Sequence, residues 1–280
     1  NITSTKPTWK EKKREKALAA GPTPPPPSPA GQVWPAPGAP RDRVDDGPVT
    51  PWRSGVMTVN GTITATAVLF TLLLVSATAG WLATGASEEG EPIQFPSLAM
   101  IGVVVGFVAV IALYFKPQWA KILGPIYAIA QGFFVGAISA VFNGQWDGIV
   151  VQAAGATLAV FTVMLVLYRT RIIKVTDRFR KIVIGATLGV MLLYLVSFVI
   201  NLFGSEVGFI NSPSALGIAF SVFVCGLAAF NLALDFDFIE RGAREGLSKD
   251  YEWFAAVGLL VTVVWLYLEI LRLLAKLREN

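Results

Sequence analysis

The residues best placed for chemistry in this chain are carboxylates that close two long apolar runs. One run, from Ser214 to Leu234, meets Asp235-Phe236-Asp237-Phe238-Ile239-Glu240; the other, from Trp253 to Leu268, meets Glu269. As helix the second run is about 24 Å long, short of the roughly 30 Å hydrocarbon core of a bilayer. Glu269 is therefore expected inside the low-dielectric layer, where an ionisable side chain is costly and is by default a functional group. Two acids sharing such a site oppose each other's charge, so an Asp235 and Glu269 pair can change protonation near neutral pH. Carboxylate oxygens are also the hard ligands that calcium prefers, which makes these two residues the candidate proton-sensing and Ca2+-binding groups. Asp237 lies on another helix face from Asp235 and reads as a boundary residue, while Glu252 is a rival partner for Asp235. The plainest alternative for Glu269 is an i,i+3 and i,i+4 ladder with Arg272 and Lys276, snorkelling at the far interface.

Other chemistries lose their reagents. The chain has no histidine, which removes the usual pH switch, the commonest zinc ligand and any Ser-His or Cys-His nucleophile pair. No phosphate-binding or dinucleotide glycine motif opens a helix. The expectation is a non-enzyme without a cofactor, calcium apart, as a permeant or bound ion. The lone Cys225 excludes an internal disulfide and reads as a small packed hydrophobe.

The elements that must position these carboxylates are membrane helices. Hydrophobic residues make up 54% and charged residues 15% of the 280, with mean hydropathy +0.60, against roughly 45–50% and about 25% in a soluble domain. Runs long enough to span lie near 57–83, 97–115, 122–142, 148–168, 182–203, 214–234 and 253–274. The expected fold is an all-α integral membrane bundle of seven helices over residues 56–280. Ahead of it, residues 1–55 form a proline-rich basic tail, expected to be disordered and cytoplasmic: 12 of the 17 prolines lie at or before Pro51, and the tail carries the whole net charge of +4. It is too long and proline-rich for a secretory signal, and it reads as a solvated arm, with anionic lipid as the alternative contact. No nucleic-acid motif accompanies its charge.

Placing the separators alternately on two sides groups the tail, Lys116 to Lys121, Arg169 to Lys181 and Asp235 to Glu252, with 20 of the 23 Lys and Arg. The opposite loops carry Glu88, Glu89, Glu91, Asp147 and Glu206. The positive-inside rule then predicts a multi-pass protein of the plasma membrane with its N-terminus in the cytoplasm. Arg272, Lys276 and Arg278 fall on the other side unless the last segment re-enters and returns. Within the spans, Ala128, Gly132, Gly136 and Ala140 stand four apart, and Gly102 with Gly106 and Gly185 with Gly189 repeat the spacing. Small residues so spaced predict close helix packing, with a hinge or pore wall as the alternative.

From Asn231-Leu232-Ala233-Leu234-Asp235-Phe236-Asp237-Phe238-Ile239 through Tyr251-Glu252-Trp253 to Trp265-Leu266-Tyr267-Leu268-Glu269-Ile270-Leu271-Arg272, the chain resembles the Bax inhibitor (transmembrane Bax inhibitor motif) family, most of all its bacterial, actinobacterial-type branch. Gly124-Pro125-Ile126-Tyr127, continuing to Gly132 and Gly136, supports the likeness, which covers roughly residues 57–278. The resemblance implies seven helices with the last at the centre of the other six. It also implies a pH-sensitive calcium leak channel, in which an acid late in the sixth helix and one in the seventh form a proton-sensing latch. By the motif Asp235 takes the first role and Glu269 the second, where the family usually has aspartate. The family's latch also uses an arginine in the second helix; this chain has none there, and Lys116 is the nearest cation. The connection from Asp235 to Glu269 is longer than the resemblance leads one to expect, and the two can approach only if the sixth helix continues to about Gly246, leaving a depth mismatch of under about 10 Å. The alternative function is an interaction protein, with the bilayer and a membrane protease or other membrane protein as partners, acting in a stress response. Small-molecule transport has less support, since no inverted repeat or broken helix pair is evident.

Overall fold

The computed structural model of the chain describes residues 9, 10, 12, 13, 16, 55–84, 97–202 and 212–280. It divides into two units, residues 1–50 and 51–280. In the first, Trp9, Lys10, Lys12, Lys13 and Lys16 are helical, with the Lys13 ammonium over the Trp9 ring; the expectation of a disordered tail otherwise falls outside the described residues.

The second unit is built from seven long helices: α1 (Val59–Thr84), α2 (Ser97–Phe115), α3 (Ala120–Gln145), α4 (Ile149–Arg169), α5 (Asp177–Leu202), α6 (Ala215–Glu245) and α7 (Asp250–Glu279), with a 3-10 turn, Pro117–Trp119, leading into α3. All seven are long and apolar enough to cross a membrane. Their ends follow local chemistry. The Ser214 hydroxyl accepts from the Gly217 amide at the start of α6, a standard N-cap. Gly246 ends that helix at φ +71°, a left-handed conformation that glycine adopts without a Cβ penalty. The sixth helix thus does continue to Gly246, well past the apolar run. The seventh is a single helix of 30 residues, about 45 Å long, and does not turn back as the re-entrant alternative would require.

The C-terminal helix is the centre. It packs against α1, α3, α4 and α6, and 61% of its apolar window is buried against at most 44% for any other helix. Two helices are more peripheral than a ring of six would have them: α2 packs chiefly on α3, and α5 chiefly on α6. The tightest seam joins α1 to α3. A Cβ on Gly132 would collide with the Leu73 carbonyl, and one on Gly136 with the Ala77 carbonyl. Ala128 is fully buried and Ala140 is 8% exposed, and the Ser76 hydroxyl donates to the Ile129 carbonyl at 2.6 Å. Gly102 and Gly106 likewise meet Ala130 and Gln131 of α3. Gly185 and Gly189 do not follow: nothing lies within 4 Å of a Cβ at either position, so their spacing marks an open face of α5 and not a packed one.

Contacts gather the basic separators at one end. Met57 N–H donates to the Leu247 carbonyl and Lys249 N–H to the Gly55 carbonyl, Lys121 pairs with Asp250 at 3.1 Å, and Arg171 pairs with Glu240 at 3.1 Å. At the other end Arg278 donates to the Asp147 carbonyl and to Gln152.

Candidate functional site

Asp235, two turns and more before the end of α6, points at the middle of α7. Its Oδ1 lies 3.7 Å from where a Cβ on Gly258 would stand, so the absent side chain is what admits the carboxylate. Thr262, one turn further along α7, stands beside it and turns its hydroxyl to the Gly258 carbonyl at 3.2 Å. The second carboxylate oxygen, Oδ2, is shut off from solvent and has no hydrogen-bond partner among the described residues.

Glu269 sits deeper along the same helix and is 2% exposed, as the short apolar run ahead of it predicts. Its Oε1 accepts from the Tyr194 hydroxyl at 2.8 Å, from Trp265 Nε1 at 3.3 Å and from Arg272 at 3.4 Å. Arg272 also donates to the Tyr194 hydroxyl at 3.0 Å and lies over that ring, 5.1 Å from its centroid. Lys276, one turn beyond, is 3% exposed and donates to Ser221 and to the Gly217 carbonyl at 2.8 and 3.1 Å. Of the ladder weighed as an alternative, the Glu269 to Arg272 rung exists, but Glu269 and Lys276 face the bundle interior. Cys225 of α6 stands within electrostatic reach of all three charges. Glu269 Oε2, like Asp235 Oδ2, is buried without a partner among the described residues.

The two carboxylates do not meet. Asp235 faces Gly258 and Thr262, while Glu269 is 11 and 7 positions beyond them on the same helix, roughly 10–16 Å along its axis. Extension of α6 to Gly246 is not enough to bring them together, since the level opposite Asp235 carries Thr262, a hydroxyl. Calcium takes about 6–8 oxygens at 2.3–2.6 Å, and each carboxylate, at its own level of α7, supplies at most two of them. Among the described residues no group of three or more acids, histidines or cysteines could hold a metal.

The secondary candidates go elsewhere. Glu252, 4% exposed, accepts from the Thr58 amide and hydroxyl at 2.9 and 2.8 Å. Thr58 in turn caps α1 by accepting from Gly61 N–H, so Glu252 is a negative charge at a helix N-terminus, where the dipole favours it. Lys116 is exposed and lies over the Trp119 ring at 5.0 Å, with no bond to either carboxylate among the described residues; the cation beside Glu269 is Arg272. Asp237 is no ordinary boundary residue. It is 8% exposed and holds Arg180 at 2.7 Å and Arg241 at 2.9 Å, while Glu240 holds Arg171, Arg244 and the Tyr168 hydroxyl. Asp237 and Arg241 are an i,i+4 pair visible in the sequence; Arg180, 57 positions away, carried no such signal.

The Bax inhibitor 1 like family model matches residues 3–279. A bundle of seven membrane-length helices with the last of them at its centre, and acids buried along that helix, is the class of membrane protein that this structure defines. The chain belongs to the Bax inhibitor 1 like family. The match takes in the N-terminal tail as well, which the resemblance over residues 57–278 had left out. No curated protein matches the chain.

Proposed function

We propose that this membrane protein is a cation leak pathway whose conductance responds to protonation, with calcium as the permeant ion and Asp235 and Glu269 as two separate stations along α7. The observation that carries the reading is that each carboxylate buries an oxygen with no hydrogen-bond partner among the described residues. An ionised oxygen in that state is costly in a low-dielectric interior unless a proton or a cation neutralises it. Proton and cation therefore compete for the same atoms, and acidification displaces the cation and changes the contacts each acid makes with its helix. The groups facing Asp235 are Gly258 and Thr262; those facing Glu269 are Tyr194, Trp265 and Arg272, with Cys225 and Lys276 nearby.

The test is Ca2+ flux from proteoliposomes across a pH series. Asp235→Asn and Glu269→Gln each fix an uncharged form, and each should alter the pH response of the flux. Wild-type pH dependence in both variants would eliminate the mechanism.

A second reading, an interaction protein that regulates another membrane protein, draws support from α5, of whose apolar window only 11% is buried. Removing residues 1–50 separates the two: a leak pathway keeps its flux, whereas a tail-dependent adaptor loses its partner.

A further inference from the structure

The basic end of the bundle holds a cavity of about 570 Å3 between the α4–α5 connection and the last turns of α6. Its charge is uneven in a way that the leak reading does not use. Two acids in its wall, Asp237 and Glu240, each hold two guanidiniums: Arg180 and Arg241 on the first, Arg171 and Arg244 on the second. Arg171, Arg241, Arg244 and Lys174 line the cavity against Asp237, Glu240 and Glu245, four cations to three acids, while Arg180, which also pairs with Asp177, lies outside the lining. Each guanidinium carries five N–H donors, and these pairs occupy only some of them. The three lining arginines, Arg171, Arg241 and Arg244, are thus held in place before any ligand arrives, with donors to spare. Ile173 and Val175 supply an apolar wall beside them.

A fixed set of guanidiniums with an ammonium is the arrangement that recognises phosphate oxygens, which accept paired N–H bonds. The cavity also lies where the apolar runs of α4 and α6 give way to charge, the depth of lipid head groups, and basic pockets between membrane helices bind anionic head groups. We propose that this cavity binds a phosphate group, supplied either by the head of an anionic phospholipid or by a small soluble phosphate. The apolar wall favours the lipid.

The experiment uses the full chain in detergent, titrated with short-chain phosphatidylglycerol, short-chain phosphatidylcholine and inorganic pyrophosphate, with affinity read from thermal shifts. Lys174→Gln and Arg171→Gln remove cavity cations whose side chains are exposed, so both variants should fold. Arg178→Gln removes a nearby exposed charge outside the lining. Saturable binding of phosphatidylglycerol in preference to phosphatidylcholine, weakened about fivefold by each cavity variant and unchanged by Arg178→Gln, establishes the site. Pyrophosphate binding with the same pattern of variants establishes it with a soluble source instead. The proposal is overturned if neither phosphate compound binds better than phosphatidylcholine. It is equally overturned if Arg178→Gln weakens binding as much as Lys174→Gln, since the attraction would then belong to the surface at large.

Discussion

Glu269 shows how a buried charge is held. One oxygen takes three donors while the other takes none, and the only cation among the three donors is Arg272. Removing one member of a buried pair strands the other charge, at a cost of about 3–5 kcal/mol, whereas replacing both with apolar groups costs much less. Arg272→Leu should therefore lower stability in a detergent unfolding assay by about 3 kcal/mol, and the double variant Arg272→Leu with Glu269→Leu should recover most of it. Equal losses in the single and double variants would show that the two charges are not coupled. That Glu269 is buried was legible in the sequence, because the apolar run before it is too short to carry it to the surface. Its neighbours were not: Tyr194 is 75 positions away, and the register between two helices is set by packing that no local pattern records. The same gap explains Asp235, whose facing residues depend on how far α6 slides along α7.

Helix by helix, spacing alone proved ambiguous. Gly132 with Gly136 and Gly185 with Gly189 have the same separation, yet the first pair meets the backbone of α1 and the second meets nothing among the described residues. A four-residue spacing tells which residues share a face, not what that face touches. The two pairs consequently separate in their response to a methyl group. Gly132→Ala and Gly136→Ala force α1 and α3 apart and should each cost about 1–3 kcal/mol, while Gly185→Ala should be neutral or stabilising by roughly 0.5–1 kcal/mol, since alanine is the better helix former. Thermal unfolding of the three variants in one detergent checks the contrast; a loss at position 185 as large as at 132 would mean that α5 has a partner on its glycine face. The end of α6 was legible only as a condition, since the apolar run itself stops at Leu234. Gly246 marks the end of α6 because a residue without a Cβ terminates a helix cheaply, and it carries Asp237, Glu240, Arg241 and Arg244 on one continuous element.

At the scale of the whole molecule, the alternation of basic and acidic separators translates into contacts. The segment entering α1 bonds to the α6–α7 turn, and Lys121 and Arg171, from the other two basic connections, pair with Asp250 and Glu240. Four segments scattered through the sequence thus form one basic end, while Arg278 ties the end of α7 to Asp147 and Gln152 at the opposite one. Because α7 crosses without turning back, the seven described spans put the start of α1 and the end of α7 on opposite sides, despite the three cations near the end of α7. Those cations do not argue otherwise: Arg272 is committed to Glu269 and Lys276 to Ser221, so both are held by protein. The positive-inside rule weighs the Lys and Arg bias over all the loops together, and 11 of the 14 Lys and Arg beyond residue 53 lie in the basic separators at the other end. Single cysteines at Lys174 and Arg278, in a Cys225→Ser background, should accordingly label from opposite faces with a membrane-impermeant maleimide in intact cells: Arg278→Cys from outside, Lys174→Cys only after the membrane is opened. Labelling of both from the same face would require α7 to stop short of the far side, and would remove the central spanning helix on which the two carboxylate stations depend.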